Sequence, residues 1–240
     1  MTQISKYSLI ELDTIDSTNS EARRIVLSGE ATMSIIWAHH QTEARGRYGR
    51  KWQTGSDNLC MSILMQPLCA ITNAHELSFV IGLAVHDVVT SLINSEQIRS
   101  QIRLKWPNDI FIHDNKIGGI LLESVSYKEK VWVVIGLGLN LSHAPSCIQN
   151  ASCLKDYGVN IVASDILRPI IENFEKYIDI WREDGFATIC KVWLERAYRI
   201  GQNVVIEDAD RIISGVFESI DESGAMILRL KSGDVYIHRS

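Results

Sequence analysis

The sequence has few cysteines, and their arrangement does not indicate a metal centre. Its five cysteines include no Cys-x-x-Cys pair, and no pair of histidines completes a zinc pattern. Cys147 and Cys153 lie closest together in the chain, and both are interpreted as ordinary thiols. This cysteine usage is typical of a reducing compartment and favours the cytoplasm.

Hydrophobic signals for secretion or membrane insertion are absent as well. Residues 1–6 lack the apolar core of a signal segment. The uncharged stretch 58–75 is interrupted by Gln66, Pro67 and Asn73, so it contains no continuous apolar span. We therefore expect a soluble, cytosolic protein.

Common nucleotide-binding and nucleophile motifs are also missing. The chain has neither the Gly-x4-Gly-Lys-Ser/Thr sequence of a P-loop nor a Gly-x-Ser-x-Gly elbow. Gly136-Leu137-Gly138 resembles the start of a dinucleotide fingerprint. However, Leu141 stands at the third glycine position, and no acidic residue follows at the required distance.

The overall charge excludes a further class of protein. A formal net charge of −5 argues against general nucleic-acid binding, which usually needs a basic face. A hydrophobic content of 46% and a charged content of 22% are those of an ordinary globular protein. The 240 residues allow one large domain, or a domain of about 190 residues followed by a small module.

The spacing of apolar residues predicts an α+β protein with a mixed, largely antiparallel sheet. Between residues 102 and 141 the predicted strands are joined by turns too short to contain helices, which excludes a Rossmann-type alternation. Strands are predicted at 9–12, 33–38, 58–65, 102–106, 109–112, 116–124 and 130–141, and helices at 22–27, 76–93, 165–181 and 186–196.

Helix ends give more specific expectations. Thr18 followed by Glu21 has the form of a capping box, and Ser164 is the expected N-cap of the helix at 165–181. Hydroxyl and amide groups around Thr18, beside free backbone N–H groups, would also suit a polar ligand. His86 and Asp87 are expected at the surface or edge of their helix.

The pattern of predicted secondary structure changes from helices to short strands at Gly201. Short β-type runs at 204–207, 214–220, 225–230 and 234–238 are separated by Asp, Gly and Ser turns. This pattern predicts a small β-barrel. We therefore expect two domains, residues 1–197 and residues 198–240, with no low-complexity linker between them.

Residues 41–52 form a basic loop in a chain whose net charge is negative. Arg45, Arg47, Arg50 and Lys51 lie in it, with glycines at 46 and 49 and a tryptophan at its end. Glycine permits close approach of a ligand to the backbone, and arginine offers donors matched to carboxylates and phosphates. The loop is interpreted as an anion-binding segment that is mobile when empty and orders over a ligand.

Other polar groups are expected to meet this loop at strand ends. Lys105-Trp106-Pro107-Asn108-Asp109 is a proline-broken turn with a cation, an amide and a carboxylate. Lys116-Ile117-Gly118-Gly119 and Gly136-Leu137-Gly138-Leu139-Asn140 place glycines on strands, where a ligand can lie against the backbone. A glycine-walled slot that ends in lysine and arginine side chains suits a slender apolar molecule carrying a carboxylate.

Together with Ser17-Thr18-Asn19, these segments resemble the biotin–protein ligase family, in the order in which they occur in that family. The resemblance covers nearly the whole chain. It implies a fold like that of class II synthetases and biotin–lipoate ligases, with helices on one side of the sheet and an SH3-like C-terminal barrel. It also implies that biotin and ATP form biotinyl-5′-AMP, and that biotin is then transferred to a lysine of a biotin carboxyl carrier domain.

The resemblance assigns expected roles to individual residues. Biotin binding is expected of Ser17, Thr18, Asn19, Gln41, Arg45, Gly46, Arg47, Lys116, Gly119, Gly136 and Gly138. ATP binding is expected of Arg45, Arg50, Trp52, Lys105, Asn108, Lys116 and Asn140, and Mg²⁺ binding of Asp109. Lys116, Arg45 and Arg47 are the expected catalytic residues.

Three features depart from the family pattern. Ala44 replaces the glycine that usually precedes the first arginine, which matters only if the position needs a positive φ. The C-terminal module is expected to be shortened, because Ser232-Gly233-Asp234-Val235 follows Leu230 sooner than in the family. The chain also starts almost at Ser17, which leaves no space for the helix-turn-helix of the repressor members, so we expect a short form with no DNA partner.

Alternative functions remain open from the sequence. A lipoate or octanoyl ligase or transferase shares the implied fold and the transfer to a carrier lysine. The basic loop could instead bind nucleic acid by arginine contacts and aromatic stacking, although it is one isolated patch. An adaptor that only holds a carrier domain is the third alternative. A homodimer is possible in this family, and the sequence does not determine it.

Overall fold

The computed structural model describes residues 3–53, 55, 57–67, 71–145, 149–208 and 211–239. Cys69 and Cys147 lie outside the described residues. The strands are β1 (Gln3–Ile4), β2 (Tyr7–Ile15), β3 (Ser34–Gln41), β4 (Leu59–Met65), β5 (Ile102–Lys105), β6 (Asp109–Ile112), β7 (Asn115–Tyr127), β8 (Lys130–Leu139), β9 (Asn203–Asp208), β10 (Arg211–Ile220), β11 (Met226–Leu230) and β12 (Val235–His238). The helices are α1 (Thr18–Ser28), α2 (Leu77–Leu92), α3 (Glu96–Arg99), α4 (Ala163–Asp184) and α5 (Phe186–Glu195).

The first eight strands form one mixed sheet in the order β1-β2-β3-β4-β8-β7-β6-β5. β2 and β3 are parallel and are connected through α1, whereas the other neighbours are antiparallel. The β5–β8 segment is a meander of short turns, as the absence of room for helices required. The predicted mixed, largely antiparallel sheet is confirmed.

The two faces of this sheet are covered unequally. α2, α4 and α5 pack with Ile35, Ile63 and Ile135 in the main hydrophobic core. Successive strand residues point to opposite faces, so the neighbouring Ile36 belongs to a smaller core. There, Ala22 and Val26 of α1 cover the opposite face of the sheet. The main helical layer is therefore on one side, as expected, and α1 is an addition on the other.

The capping-box expectation at α1 was wrong. Ser17, not Thr18, occupies the N-cap position, and its side chain makes no capping hydrogen bond. Glu21 accepts from Arg24 Nε at 2.7 Å instead of reaching back to the helix start. Thr18 instead donates to Gln41 on β3, so its hydroxyl faces the strand and not its own helix.

Two further expectations about helices were wrong. Ser164 lies inside α4, whose N-cap is Val162. His86 is buried with 8% exposure, and burial lowers its pKa from the ordinary value. The neighbouring Asp87 accepts from Tyr177 Oη at 2.6 Å and pairs with Arg196 at 2.9 Å. These groups connect α2, α4 and the end of α5, and they lie away from the basic loop.

The C-terminal segment forms a four-stranded antiparallel sheet in the order β12-β11-β10-β9. Its inward residues Phe217, Met226 and Leu228 belong to the main core of the large sheet. The last strand is present, and it pairs with β11 over four residues. Asp208 at the end of β9 contacts Tyr236 and His238 of β12, which brings the two outer strands together. The sheet agrees with the predicted SH3-like module.

Among the described residues, none of the helices combines the length and the apolar character needed to cross a membrane.

Candidate active site

One cavity of about 480 Å³ lies where α1, the basic loop and strands β6, β7 and β8 meet. All seventeen residues predicted to bind ligand or metal line it: Ser17, Thr18, Asn19, Gln41, Arg45, Gly46, Arg47, Arg50, Trp52, Lys105, Asn108, Asp109, Lys116, Gly119, Gly136, Gly138 and Asn140. They come from segments up to 123 residues apart in the chain, from Ser17 to Asn140. Their separate roles stay predictions.

One end of the cavity is a buried network of neutral hydrogen-bonding groups. The backbone N–H of Thr18 donates to Gln41 Oε1 at 2.7 Å, and the Thr18 hydroxyl reaches the same oxygen at 3.1 Å. Ser62 of β4 lies 2.7 Å from the Thr18 hydroxyl and 2.6 Å from Asn19 Oδ1. Because Thr18, Asn19 and Ser62 are each less than 5% exposed, this end can orient a neutral polar ligand group without competition from water.

A carboxylate links this network to the basic loop. Glu123 Oε2 accepts from Asn19 Nδ2 at 2.7 Å. Both Glu123 oxygens also lie 3.3 Å from Arg45 Nη2. Glu123 therefore connects a group on the pocket floor with the first arginine of the loop.

Two glycines of β8 leave room that a side chain would fill. A Cβ at Gly136 would lie 2.4 Å from Asn19 Oδ1. A Cβ at Gly138 would lie 2.6 Å from Trp52 Nε1. Neither distance is possible for real atoms, so Asn19 and Trp52 can pack against this strand only because both positions are glycine, and the predicted contact of a ligand with this backbone stays a prediction.

The basic loop is a small hairpin over the cavity. Gly46 N donates to Arg50 O at 2.7 Å, and Trp52 N donates to Ala44 O at 2.9 Å. A short 3₁₀ turn at Arg47–Gly49 forms its tip, and the exposed Tyr48 there has a φ of 57°. The hairpin supports the interpretation as a lid, while its mobility in the empty enzyme stays a prediction.

Ala44 is accommodated without strain. It is buried with 6% exposure, and it is not among the described residues with positive φ. Its backbone oxygen accepts the hydrogen bond that closes the hairpin. The position therefore does not need glycine, and the departure from the family pattern is explained.

Opposite charges meet at the centre of the cavity. Lys116 Nζ lies 2.6 Å from Asp109 Oδ1 and 5.2 Å from the centre of the Trp52 ring. A Cβ at Gly119 would lie 3.3 Å from both the Lys116 and Asp109 side chains. Lys116 is thus held between a carboxylate and an aromatic face in the cavity.

The turn at residues 105–109 forms the wall beside this ion pair. Asn108 Nδ2 donates to Ile120 O at 2.6 Å, which ties the turn to β7. Desolvation lowers the pKa of the Lys105 ammonium, with further lowering from Lys116. Asn140 is 2% exposed, and its Oδ1 has no hydrogen-bond partner among the residues that the structure describes. A buried orphan acceptor that lines the cavity suits a ligand that brings a donor.

The C-terminal module closes one side of the same cavity. Glu207 and His238 line it. His238 packs on Trp106 with ring centres 5.2 Å apart, and Trp106 Nε1 donates to Gly224 O at 2.9 Å. The module therefore supports the 105–109 turn from behind.

Sequence reasoning missed four polar groups of the cavity or its hydrogen-bond network: Ser62, Glu123, Glu207 and His238. Ser62 is the only hydroxyl in the apolar run of β4, and Glu123 ends the apolar run after Gly119. In both strands a polar residue interrupts or ends an apolar run, and that interruption could have been read from the sequence. Glu207 and His238 carried no local signal, because their position depends on how the C-terminal sheet docks.

The site lacks a preformed metal cage. In the described ranges, no three His, Cys, Asp or Glu side chains lie close enough to hold an ion. Asp109 is partly buried, and its Oδ1 lies 2.6 Å from Lys116 Nζ. A single carboxylate of this kind suits Mg²⁺ that takes most of its ligands from phosphate oxygens and water.

Comparison with known proteins matches both parts of the chain. The Biotin/lipoate A/B protein ligase family matches residues 12–140, and the Biotin protein ligase C terminal domain matches residues 200–238. The fold is similar to that of the biotin protein ligase from Aquifex aeolicus in complex with biotin and ATP. That comparison has a TM-score of 0.79 at 24% identity and covers 97% of this chain and 99% of the other.

Similar sequences lead to the same family. The biotin--[acetyl-CoA-carboxylase] ligase of Paracoccus denitrificans is 33% identical over 231 residues, which cover 91% of this chain and 92% of the relative. The ligase with the same description from Mycobacterium tuberculosis is 32% identical, with coverage of 88% and 79%. The family match over more than half of the chain, together with these relatives, identifies it: the chain belongs to the biotin protein ligase family.

Proposed function

We propose that this enzyme activates biotin with ATP to biotinyl-5′-AMP and transfers biotin to a lysine of a carboxylase carrier domain. One observation carries the proposal. The neutral hydrogen-bonding pocket, the glycine slot and the Lys116–Asp109 pair are consecutive parts of a single cavity under the arginine hairpin. Biotin has a polar neutral ring system at one end and a carboxylate at the other, which matches this order.

Binding would place the ureido ring of biotin among Ser17, Thr18, Asn19 and Gln41. Gly119, Gly136 and Gly138 line the cavity without side chains, and the ring system of biotin and its aliphatic chain would lie along them. The carboxylate would then reach Lys116, with Arg45, Gly46 and Arg47 above it. Neutral hydrogen bonds at one end and a charge at the other would fix the direction of the ligand.

The nucleotide would lie toward Arg50, Trp52, Lys105, Asn108 and Asn140. In the first step a biotin carboxylate oxygen attacks the α-phosphorus of ATP, and diphosphate leaves. Lys116, Arg45 and Arg47 would align the two anions and offset the charge that develops, which is the main requirement of phosphoryl-type transfer. The hairpin would exclude water from the mixed anhydride.

Mg²⁺ fits the residues present. Asp109 would hold it, with phosphate oxygens as the other main ligands. When bound, it would supply neutralisation of the phosphate charge. The Lys116 ammonium now paired with Asp109 would then turn toward the substrate anions.

In the second step the neutral amine of the acceptor lysine attacks the acyl carbon of the adenylate, AMP leaves with the bridging oxygen, and the nitrogen loses a proton to give the amide. The names of the Paracoccus and Mycobacterium relatives favour an acetyl-CoA carboxylase carrier as acceptor. We also propose the division into residues 1–197 for catalysis and 198–240 as the supporting module. The cytoplasmic location and the possible homodimer stay predictions.

The direct test is incubation of the protein with biotin, MgATP and a carrier domain, read by mass spectrometry. The carrier should gain one biotin, and a carrier with its acceptor lysine changed to arginine should gain none. Because the family that matches residues 12–140 includes lipoate ligases, lipoic acid and octanoate are assayed in parallel. Diphosphate release with these acids but not with biotin would replace the proposal with a lipoate ligase.

A Lys116→Ala variant separates the enzyme from a non-catalytic adaptor. The enzyme should lose adenylate formation, whereas an adaptor would bind the carrier domain as before and show no wild-type activity to lose. DNA or RNA retention in a gel-shift experiment, with a steep dependence on salt, would instead support nucleic-acid binding by the basic hairpin.

A further inference from the structure

We infer that Glu123 is a positioning residue that couples the arginine hairpin to the biotin pocket. The inference rests on the proposed function. Glu123 lies on β7, two residues beyond Leu121, which lines the cavity, and none of the roles assigned above uses it. Its contacts place it between the two elements that must act together when a ligand is enclosed.

The first contact fixes the orientation of Asn19. An ionised carboxylate only accepts hydrogen bonds, so the 2.7 Å contact with Glu123 requires the Nδ2 side of the Asn19 amide. The Oδ1 side must then face Ser62 at 2.6 Å and the bare backbone of Gly136. Glu123 thereby makes Asn19 present an acceptor to the pocket, which a donor group of the ligand can use.

The second contact holds the hairpin. Arg45 is the first arginine of the hairpin, and its Nη2 lies 3.3 Å from both Glu123 oxygens. Ser20 of α1 is a further partner of this nitrogen at 3.4 Å. The Arg45 side chain is 44% exposed and that of Glu123 is 32% exposed. A pair with this exposure is weak enough to break and re-form as the hairpin moves.

The two contacts form one chain of polar groups. It runs from Arg45 through Glu123, Asn19, Ser62 and Thr18 and ends at Gln41. These residues belong to the hairpin and to β7, α1, β4 and β3. A ligand that changes the hydrogen bonds of Asn19 therefore changes the partner of Arg45, and closure of the hairpin stabilises the pocket in its binding arrangement.

Two substitutions separate the functions of this carboxylate. In Glu123→Gln the side-chain oxygen can still accept from Asn19, whereas the pairing with Arg45 is lost. In Glu123→Ala both contacts are lost. Glu218→Gln is the matched control, because Glu218 pairs with Arg229 on the C-terminal sheet and its side chain is 33% exposed.

Biotin affinity by calorimetry and the dissociation rate of biotinyl-5′-AMP are the two measurements. Glu123→Ala should weaken biotin binding about tenfold, the value of a lost charge-assisted hydrogen bond. Glu123→Gln should keep biotin affinity within about threefold of wild type but release the adenylate about two- to fivefold faster, since an exposed ion pair is lost. Glu218→Gln should change neither quantity.

Several outcomes would overturn the inference. It fails if Glu123→Ala behaves like Glu218→Gln, or if Glu123→Gln and Glu123→Ala impair biotin affinity equally. Thermal unfolding checks that both variants fold. If Glu123→Ala does not fold, the rate at which Glu123→Gln releases the adenylate is the test, and a wild-type rate contradicts the inference. A wild-type protein that binds biotin but forms no adenylate would contradict the proposed function, whereas the calorimetric comparison would still test Glu123.

Discussion

Replacing Gly138 by alanine is expected to damage nucleotide binding much more than folding. The new Cβ would lie 2.6 Å from Trp52 Nε1 and 2.7 Å from Trp52 Cε2. Carbon atoms at their optimal separation are about 3.5–4.0 Å apart, so the indole must move by roughly 1 Å. Two further contacts restrict this movement. Lys116 Nζ lies 5.2 Å from the centre of the indole ring, and the backbone N–H of Trp52 closes the hairpin.

Overpacking of this kind costs about 1–3 kcal/mol. If the cost falls on the ligand-bound arrangement, binding weakens by about 5- to 140-fold, because about 1.4 kcal/mol corresponds to a factor of ten. The assay is biotin-dependent exchange of diphosphate with ATP, from which the KM for ATP and the KM for biotin are obtained separately. The KM for ATP should rise, because Trp52 is among the residues that we propose to contact the nucleotide.

Gly82→Ala is the matched control. Gly82 lies inside α2, and its added Cβ would meet Ile120 and Leu104 at an ordinary 3.7 Å. Alanine in a helix interior is favoured over glycine by about 0.5–1 kcal/mol, so this variant should be at least as stable as wild type and fully active.

A second comparison isolates the clash itself. In a Trp52→Ala background, Gly138→Ala should have little additional effect, because the atoms that it would meet are gone. The reasoning is refuted if Gly138→Ala leaves the KM for ATP unchanged, or if its effect is as large without the indole as with it.

Three further predictions follow from single residues. Ala44→Gly should change activity less than about twofold in the carrier-labelling assay, because the position does not need a positive φ. Asp109→Asn should reduce adenylate formation by about 100-fold and raise the Mg²⁺ concentration needed, measured by diphosphate release during an Mg²⁺ titration. Burial lowers the pKa of His86. The unfolded state therefore binds more protons than the folded state below about pH 6.5, and the free energy of unfolding should fall from pH 7 to pH 5.5. Thermal unfolding of His86→Gln should show a flatter dependence on pH over this range.

Much of the fold could be predicted because its signals are local. The strand at 109–112 is bounded by a proline turn and an Asp-Asn turn, and the structure has it at Asp109–Ile112. The helix at 76–93 follows from its apolar spacing and ends one residue inside each expected boundary. Local patterns failed where tertiary contacts decided the outcome. His86 has a polar side chain beside Asp87, which looked like a helix edge, but the fold leaves only 8% of it exposed.

The cavity likewise contains residues that local sequence patterns predict and residues whose position depends on tertiary contacts. Its ligand-facing groups occur in short segments with unusual composition, such as Arg45-Gly46-Arg47, and those segments could be read from the sequence. Glu123 is different, because its two partners are 104 and 78 residues away in the chain. The predicted ligand-facing groups lie in short segments with a recognisable composition. A group that orients them needs only to lie beside them in the folded chain, so its own segment carries no such signal. Candidate positioning residues are therefore found from the contacts of the predicted site residues, and Asn19 and Arg45 both contact Glu123.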